Sequence, residues 1–172
     1  MNNFFMIFKF TNHNNDLYNT LLTLSRNIFF YKELQLEDNF ETRINLIFFH
    51  FSIMMIIFKK KGHKFDQKNY DSLFFNIENN LRELGFGDVA VNSKMKNLNK
   101  ILYDILLKIE NNGNNSKNLK INSQLVLKYF SHLKEAKNDK YVKFETYLTN
   151  FYKYCFELSL KNMIKDALKF KL

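Results

Sequence analysis

A chain of 172 residues that is 46% hydrophobic can bury one real core, and its four glycines and absence of proline remove the usual punctuation of hairpins and long loops. A single cysteine, Cys155, excludes an internal disulfide and a cysteine-based metal site, and suits a reducing compartment. The net charge of +9 lies wholly in the second half: Met1–Ala90 holds ten Lys/Arg and ten Asp/Glu, whereas Val91–Leu172 holds sixteen Lys and seven Asp/Glu. Such asymmetry suits RNA, anionic lipid or an acidic partner, or else plain lysine on solvated helix faces.

Met1–Phe10 (MNNFFMIFKF) is apolar but far below the roughly 20 residues that span a bilayer. It is expected to dock on the core or to lie at a membrane surface. It has neither the form of a secretory signal nor that of an Arg- and Ser-rich mitochondrial leader. Asn15–Tyr31 is the first predicted helix, with Leu17, Leu21, Leu24 and Ile28 on one stripe. Asn14, Asn15 or Asp16 is placed to cap it, and Arg26 falls on its other side. Lys32–Asn39 is a connector.

Phe40–Lys61 is the most apolar segment, and the central hydrophobic helix is placed at Thr42–Lys61. From Ile44 to Phe58 only Asn45, His50 and Ser52 are polar. Apolar residues on every face predict a core helix. The run is 15 residues, short of a membrane span, and it ends in Lys59-Lys60-Lys61 and Gly62. His50 is read as a hydrogen-bonded core residue.

Phe65–Leu84 is the next helix, capped by Asp66, with Tyr70, Phe74, Ile77, Leu81 and Leu84 inward. Glu78 and Arg82 have the i, i+4 spacing of a surface ion pair. Gly85 takes the left-handed position past its end. Gly87-Asp88 and the β-branched Val89 and Val91 form a turn, and the helix restarts near Asn92–Ser93 and runs to Glu110. Asn111–Lys120 (NNGNNSKNLK) reads as a flexible loop. Ile121–Ala136 and Asp139–Leu168 are the last helices, the second with a possible break near Ser159. Lys169–Leu172 is expected to fray. No internal repeat is present. The whole reads as one all-α domain, residues 1–172: a bundle of about six helices with a polar loop and a basic part over residues 121–172.

No GxGxxG, Walker loop, HExxH or GxSxG occurs. His13, His50, His63 and His132 are scattered, with no i, i+4 pair. The chain is therefore not read as an enzyme; no cofactor, metal or DNA partner is expected. Gly85–Lys96 is the exception to this plainness. A helix end followed by Gly-Phe-Gly-Asp, with Lys94 and Lys96 beside the restart, can receive an acidic peptide or a phosphate. It can equally serve a tight crossing of two helices, with Asp88 satisfying the turn.

The same stretch carries a resemblance. Asp71, Leu73-Phe74, Leu81-Arg82-Glu83, Gly85, Gly87-Asp88, Val91 and Lys94-Met95-Lys96 resemble the signature of the ubiquinol–cytochrome c chaperone family. Upstream, Arg26, Tyr31, Asp38, Arg43 and His50 fall where that family places an Arg, an aromatic, an acidic turn and an Arg before a His-bearing hydrophobic helix. The resemblance covers about Leu17–Tyr103. The chain departs from it at Leu102-Tyr103-Asp104-Ile105, which lacks the family's Gly and Arg, and at Asp38, which lacks the usual proline. The resemblance implies a non-enzymatic chaperone for newly made cytochrome b in assembly of the ubiquinol–cytochrome c reductase complex. Without a mitochondrial leader it implies a bacterial-type member at the cytoplasmic face of the inner membrane. Arg26, Arg43, Arg82, Glu83, Gly85, Gly87, Asp88, Lys94 and Lys96 are then the candidate client- or partner-binding residues, expected to gather near the Gly85–Gly87 turn. An RNA-, ribosome- or membrane-surface-binding module acting through the lysine-rich second half is the alternative.

Overall fold

The computed structural model describes residues 16–111, 119–134 and 139–171, and among these there is helix and no strand. The expectations for Met1–Phe10, for the caps Asn14 and Asn15, and for most of the loop Asn111–Lys120 fall outside the described residues. The helices are α1 (Asp16–Ser25), α2 (Ile28–Lys32), α3 (Phe40–Lys60), α4 (Gln67–Glu83), α5 (Asp88–Asn111), α6 (Ser123–Tyr129), α7 (Asp139–Glu157) and α8 (Leu160–Asp166). Short 3-10 turns follow α6 (Ser131–Lys134) and α8 (Ala167–Lys169).

Local chemistry sets the boundaries. The expected helix Asn15–Tyr31 is two helices. The Asn27 side chain accepts from Phe29 N at 3.0 Å and starts α2, an asparagine preferring to cap a helix over continuing one. The Tyr31 hydroxyl donates to Ser25 O at 2.7 Å, satisfying a carbonyl that the break frees. Asn39 accepts from Thr42 N at 2.8 Å, so the central helix begins at Phe40, two residues before the predicted start. Asp66 caps α4 as predicted, accepting from Asn69 N at 3.3 Å. The break near Ser159 is present, with Ser159 at the N-cap of α8. The predicted helix Ile121–Ala136 is shorter: α6 stops at Tyr129 and a 3-10 turn follows.

Fourteen of the 21 residues of α3 are buried. By length and composition this helix could cross a membrane, with a mean hydropathy of 1.4 over its best window. Yet 78% of that window lies inside the protein, packed by α1, α5 and α7. It is the core helix of the bundle. Each fully buried Phe, Ile or Leu on it contributes about 1.5–3 kcal/mol.

The polar residues in this helix are handled differently. His50 is fully buried; Nδ1 donates to Leu46 O at 2.7 Å, and Nε2 accepts from the Tyr147 hydroxyl at 2.9 Å. Burial lowers its pKa to about 4. It is a neutral tie between α3 and α7, the core role expected. Cys155 is buried, its thiol pushed up to about 12 by burial. Within the stretch expected to fray, Phe170 is held in place. Phe170 packs its ring against Tyr147, Phe151 and Tyr154 at 5.4, 5.5 and 5.6 Å between centroids.

Candidate functional site

The turn between α4 and α5 is built by two glycines with different tasks. Gly85 has φ +88°, a conformation that L side chains rarely adopt. Its N–H donates to Arg82 O at 2.9 Å, and Phe86 N donates to Leu81 O at 3.3 Å. These two bonds form the Schellman end of a helix. Gly87 has no left-handed φ; its carbonyl accepts from Val91 N at 2.9 Å and opens α5. The helix thus restarts at Asp88, not at Ser93 as the sequence suggested. Ser93 lies more than one turn inside α5, so the expected restart beside Lys94 and Lys96 is not a helix start that could bind an anion.

Arg82 clamps this turn. Its Nη2 donates to Glu78 on its own helix at 2.7 Å, and its Nη1 donates to Asp88 on the first turn of α5. The bonds to Asp88 and then Glu78 hold the guanidinium pKa above its ordinary value. Lys94 places its Nζ over the Phe86 ring, 4.4 Å from the centroid, a cation–π contact worth about 0.5–1 kcal/mol when exposed. Apolar surface stands open around these charges: Val89 is 86% exposed, Phe75 62% and Phe86 38%. Phe75, Glu78 and Arg82 share one face of α4 by their spacing.

The other candidate residues form a second group. Arg43 grips Asp38 with Nε at 2.6 Å and Nη2 at 2.7 Å. Arg26 is half-buried nearby; burial and then the Arg43 charge lower its pKa, against Tyr18, Asp38 and Tyr31. Burial first, then the Asp38 charge, raises Tyr31 to about 12. Glu83 is exposed and acts electrostatically on Tyr18, whose hydroxyl accepts from Asn80 Nδ2. Arg82, Asp88 and Lys94 therefore belong to the Gly85 turn, while Arg26 and Arg43 belong to the α2–α3 corner. Lys96 is exposed on α5, two residues from Lys94 and so on another face.

Between the two groups lies a cleft of about 180 Å³. Its walls are Phe40, Leu81, Leu98 and Ile101, and Glu41, Lys94 and Asn97 are at its exposed rim. Asn45 also lines it and is 1% exposed, and its buried Oδ1 has no hydrogen-bond partner among the described residues. An unsatisfied buried acceptor costs about 1–3 kcal/mol. The sequence singled out Asn45 as a polar residue in an apolar run, but not as part of a site. A larger groove, of about 510 Å³, lies between the end of α3, the start of α4 and α5, with Met55, Ile56, Phe65, Tyr70 and Leu106 against Lys59, His63 and Lys64. Among the described residues no group of three or more His, Cys, Asp or Glu could hold a metal ion.

The stretch Leu102-Tyr103-Asp104-Ile105 is mid-helix in α5. Asp104 accepts from Lys128 at 2.8 Å and from the Tyr129 hydroxyl at 2.6 Å, tying α5 to α6. Residues 32–126 match the ubiquinol-cytochrome C chaperone family. No curated protein and no solved structure matches the chain. The matched segment takes in the Gly85 turn, the cleft and Arg43, and begins after Arg26.

Proposed function

Because the chain belongs to the ubiquinol–cytochrome c chaperone family, with a role in assembly of complex III, we propose that its client is newly made cytochrome b. The client would be held on the face formed by the Gly85 turn and the adjacent cleft. The observation that carries this reading is the family match, which spans the turn. Its chemistry supports it: Phe75, Phe86 and Val89 offer apolar surface to a membrane-protein client, and Arg82, Asp88 and Lys94 beside them fix polar neighbours. A rigid turn keeps these groups in place without the client having to order them, which lowers the cost of binding. The role is one of binding and not of catalysis, and its place is the cytoplasmic face of the inner membrane.

Tagged protein purified from native membranes tests this. Asp88→Ala and Lys94→Glu alter exposed positions, so both variants fold with nearly unchanged melting temperature. Each lowers recovery of cytochrome b; recovery equal to the unaltered protein counts against the proposal. A second reading, binding to ribosomal RNA, has one observation in its favour: Lys153, Lys161 and Lys165 stand exposed on α7 and α8. Other lysines of this half are engaged, Lys108 and Lys128 with Asp104, Lys143 with Glu33 and Lys169 with Asp166. RNA binding would weaken steeply with salt, because each phosphate contact releases counterions. A flat salt response removes that reading.

A further inference from the structure

We propose that the larger groove, between the end of α3, the start of α4 and α5, binds one long-chain fatty carboxylate, with the chain on the apolar floor and the carboxylate at the basic end. This does not rest on the client-binding reading. Tyr70 of the groove and Arg82 of the Gly85 turn stand roughly 18 Å apart along α4, at 1.5 Å per residue.

Size, polarity and charge together select this occupant. The groove has a volume of about 510 Å³, inside the range of about 300–1,000 Å³ usual for small-molecule sites. A methylene takes up about the 30 Å³ of a water molecule in the liquid. One chain of roughly a dozen carbons or more therefore fits, and a phospholipid with two such chains does not. The groove is also polar at one end only. Met55 and Lys59 lie one turn apart on α3. Beyond Lys59, the exposed His63 and Lys64 of the α3–α4 connection line the groove. In the other direction Met55 meets Tyr103 and Leu106 of α5. Tyr103 stands 53% exposed, apolar surface that a bound chain covers. Met55 adapts to such a chain, because its thioether side chain is flexible.

The charge has one sign. Among the described residues no acid lines the groove. The acids beside it are engaged: Asp66 accepts from Asn69 N at 3.3 Å, and Asp71 from Gln67 Nε2 at 2.7 Å. A basic end joined to an apolar end complements a carboxylate on a hydrocarbon chain. Other occupants fit less well. Met1–Phe10 would bring Lys9 and no acid to the basic end. RNA would need open ring faces for its bases. Phe65 is instead packed edge-on against Phe51 and Phe58 at 5.2 and 4.9 Å, and Tyr70 is stacked on Phe74 at 4.9 Å.

The test uses the full chain and needs no client. Methyl-labelled protein is titrated with dodecanoate, dodecanol and dodecyltrimethylammonium, each below its micellar concentration. Dodecanoate should give saturable shifts at Met55, Ile56 and Leu106. Dodecanol should bind roughly tenfold more weakly, the worth of one charge-assisted contact, and the cation should not saturate. Lys64→Glu changes an exposed side chain. It should weaken dodecanoate by roughly tenfold and leave dodecanol unchanged. Leu106→Trp fills the groove from its wall and should abolish binding of both; Lys64→Glu keeps the test open should that variant fail to fold. Equal affinity for dodecanol or for the cation overturns the proposal, as does the absence of shifts at the three methyl-bearing residues. Dioleoyl-phosphatidylglycerol vesicles that shift these methyls where dodecanoate does not would overturn it in favour of docking on a bilayer. Phe5→Ser combined with Phe8→Ser should leave the affinity for dodecanoate unchanged. A gain of tenfold or more would make Met1–Phe10 the occupant and overturn the proposal as well.

Discussion

Gly85 and Gly87 look alike in the sequence and differ in what they do. Only Gly85 has a left-handed backbone, so an added Cβ strains it although nothing lies within 4 Å to clash. Gly85→Ala should destabilise the protein by about 1–2 kcal/mol, read as a lower melting temperature. Gly87 opens α5 at a position where serine is at least as favourable. Gly87→Ser should leave stability unchanged within about 0.5 kcal/mol, and a loss as large as that of Gly85→Ala would contradict the assigned roles. His50 gives the second residue-scale prediction. Its pKa in the folded protein is lowered to about 4 from 6.5, so the unfolded chain takes up a proton before the folded one does. The neutral form's advantage is therefore intact above pH 6.5 and is lost as pH falls from there toward 4. The full span is about 3 kcal/mol. Denaturant unfolding of the unaltered protein and His50→Gln at pH 7.5 and 4.5 should show the larger loss on acidification in the unaltered protein. Parallel losses would remove His50 as the cause. The sequence made His50 legible as a core residue, because one histidine in an apolar run has little alternative. It did not reveal Tyr147 as the partner, 97 positions away.

The start of α5 is where local reading and structure part. Val89 and Val91 suggested a β-branched turn, and Ser93 a cap. Instead Gly87 supplies the opening carbonyl, and Val91 is buried against the bundle while Val89 is 86% exposed, an alternation that suits one helical turn. Tertiary burial of Val91 overrides the weak propensity of valine for helix. Proline scanning tests the boundary. Ser93→Pro, inside the helix, should cost about 3 kcal/mol, whereas Asp88→Pro, at the first helical position, should be tolerated. If both variants unfold at the same temperature, the start at Asp88 is wrong. The candidate site was legible only where its parts are near in sequence. Glu78 and Arg82 pair by their i, i+4 spacing, whereas Asp88, read as satisfying the turn, accepts instead from Arg82 across it. The Arg26–Arg43 neighbourhood, Tyr18 with Asn80, and the cleft over Asn45 arise from helices brought together by the core. No periodicity in one helix shows what its neighbour will leave unsatisfied.

The family match ends at residue 126, yet the core does not. From α7, Phe144, Tyr147, Leu148, Phe151, Tyr152 and Cys155 are each fully buried, and Met163 of α8 joins them. They cover faces of α1 and α3 that the matched segment alone would leave to water. At about 1.5–3 kcal/mol for each large apolar side chain, their combined loss is as large as the roughly 5–15 kcal/mol by which a domain of this kind is stable. The lysine-rich second half is thus part of the core on its inner face, whatever its outer face contacts. A fragment ending at residue 138 should lose its cooperative thermal transition by circular dichroism and should bind a hydrophobic dye at 25 °C. Retention of a cooperative transition within a few degrees of the full chain would mean that α3 is covered without α7. It would also make the Gly85 turn and its cleft a self-sufficient unit, free of the tie between His50 and Tyr147.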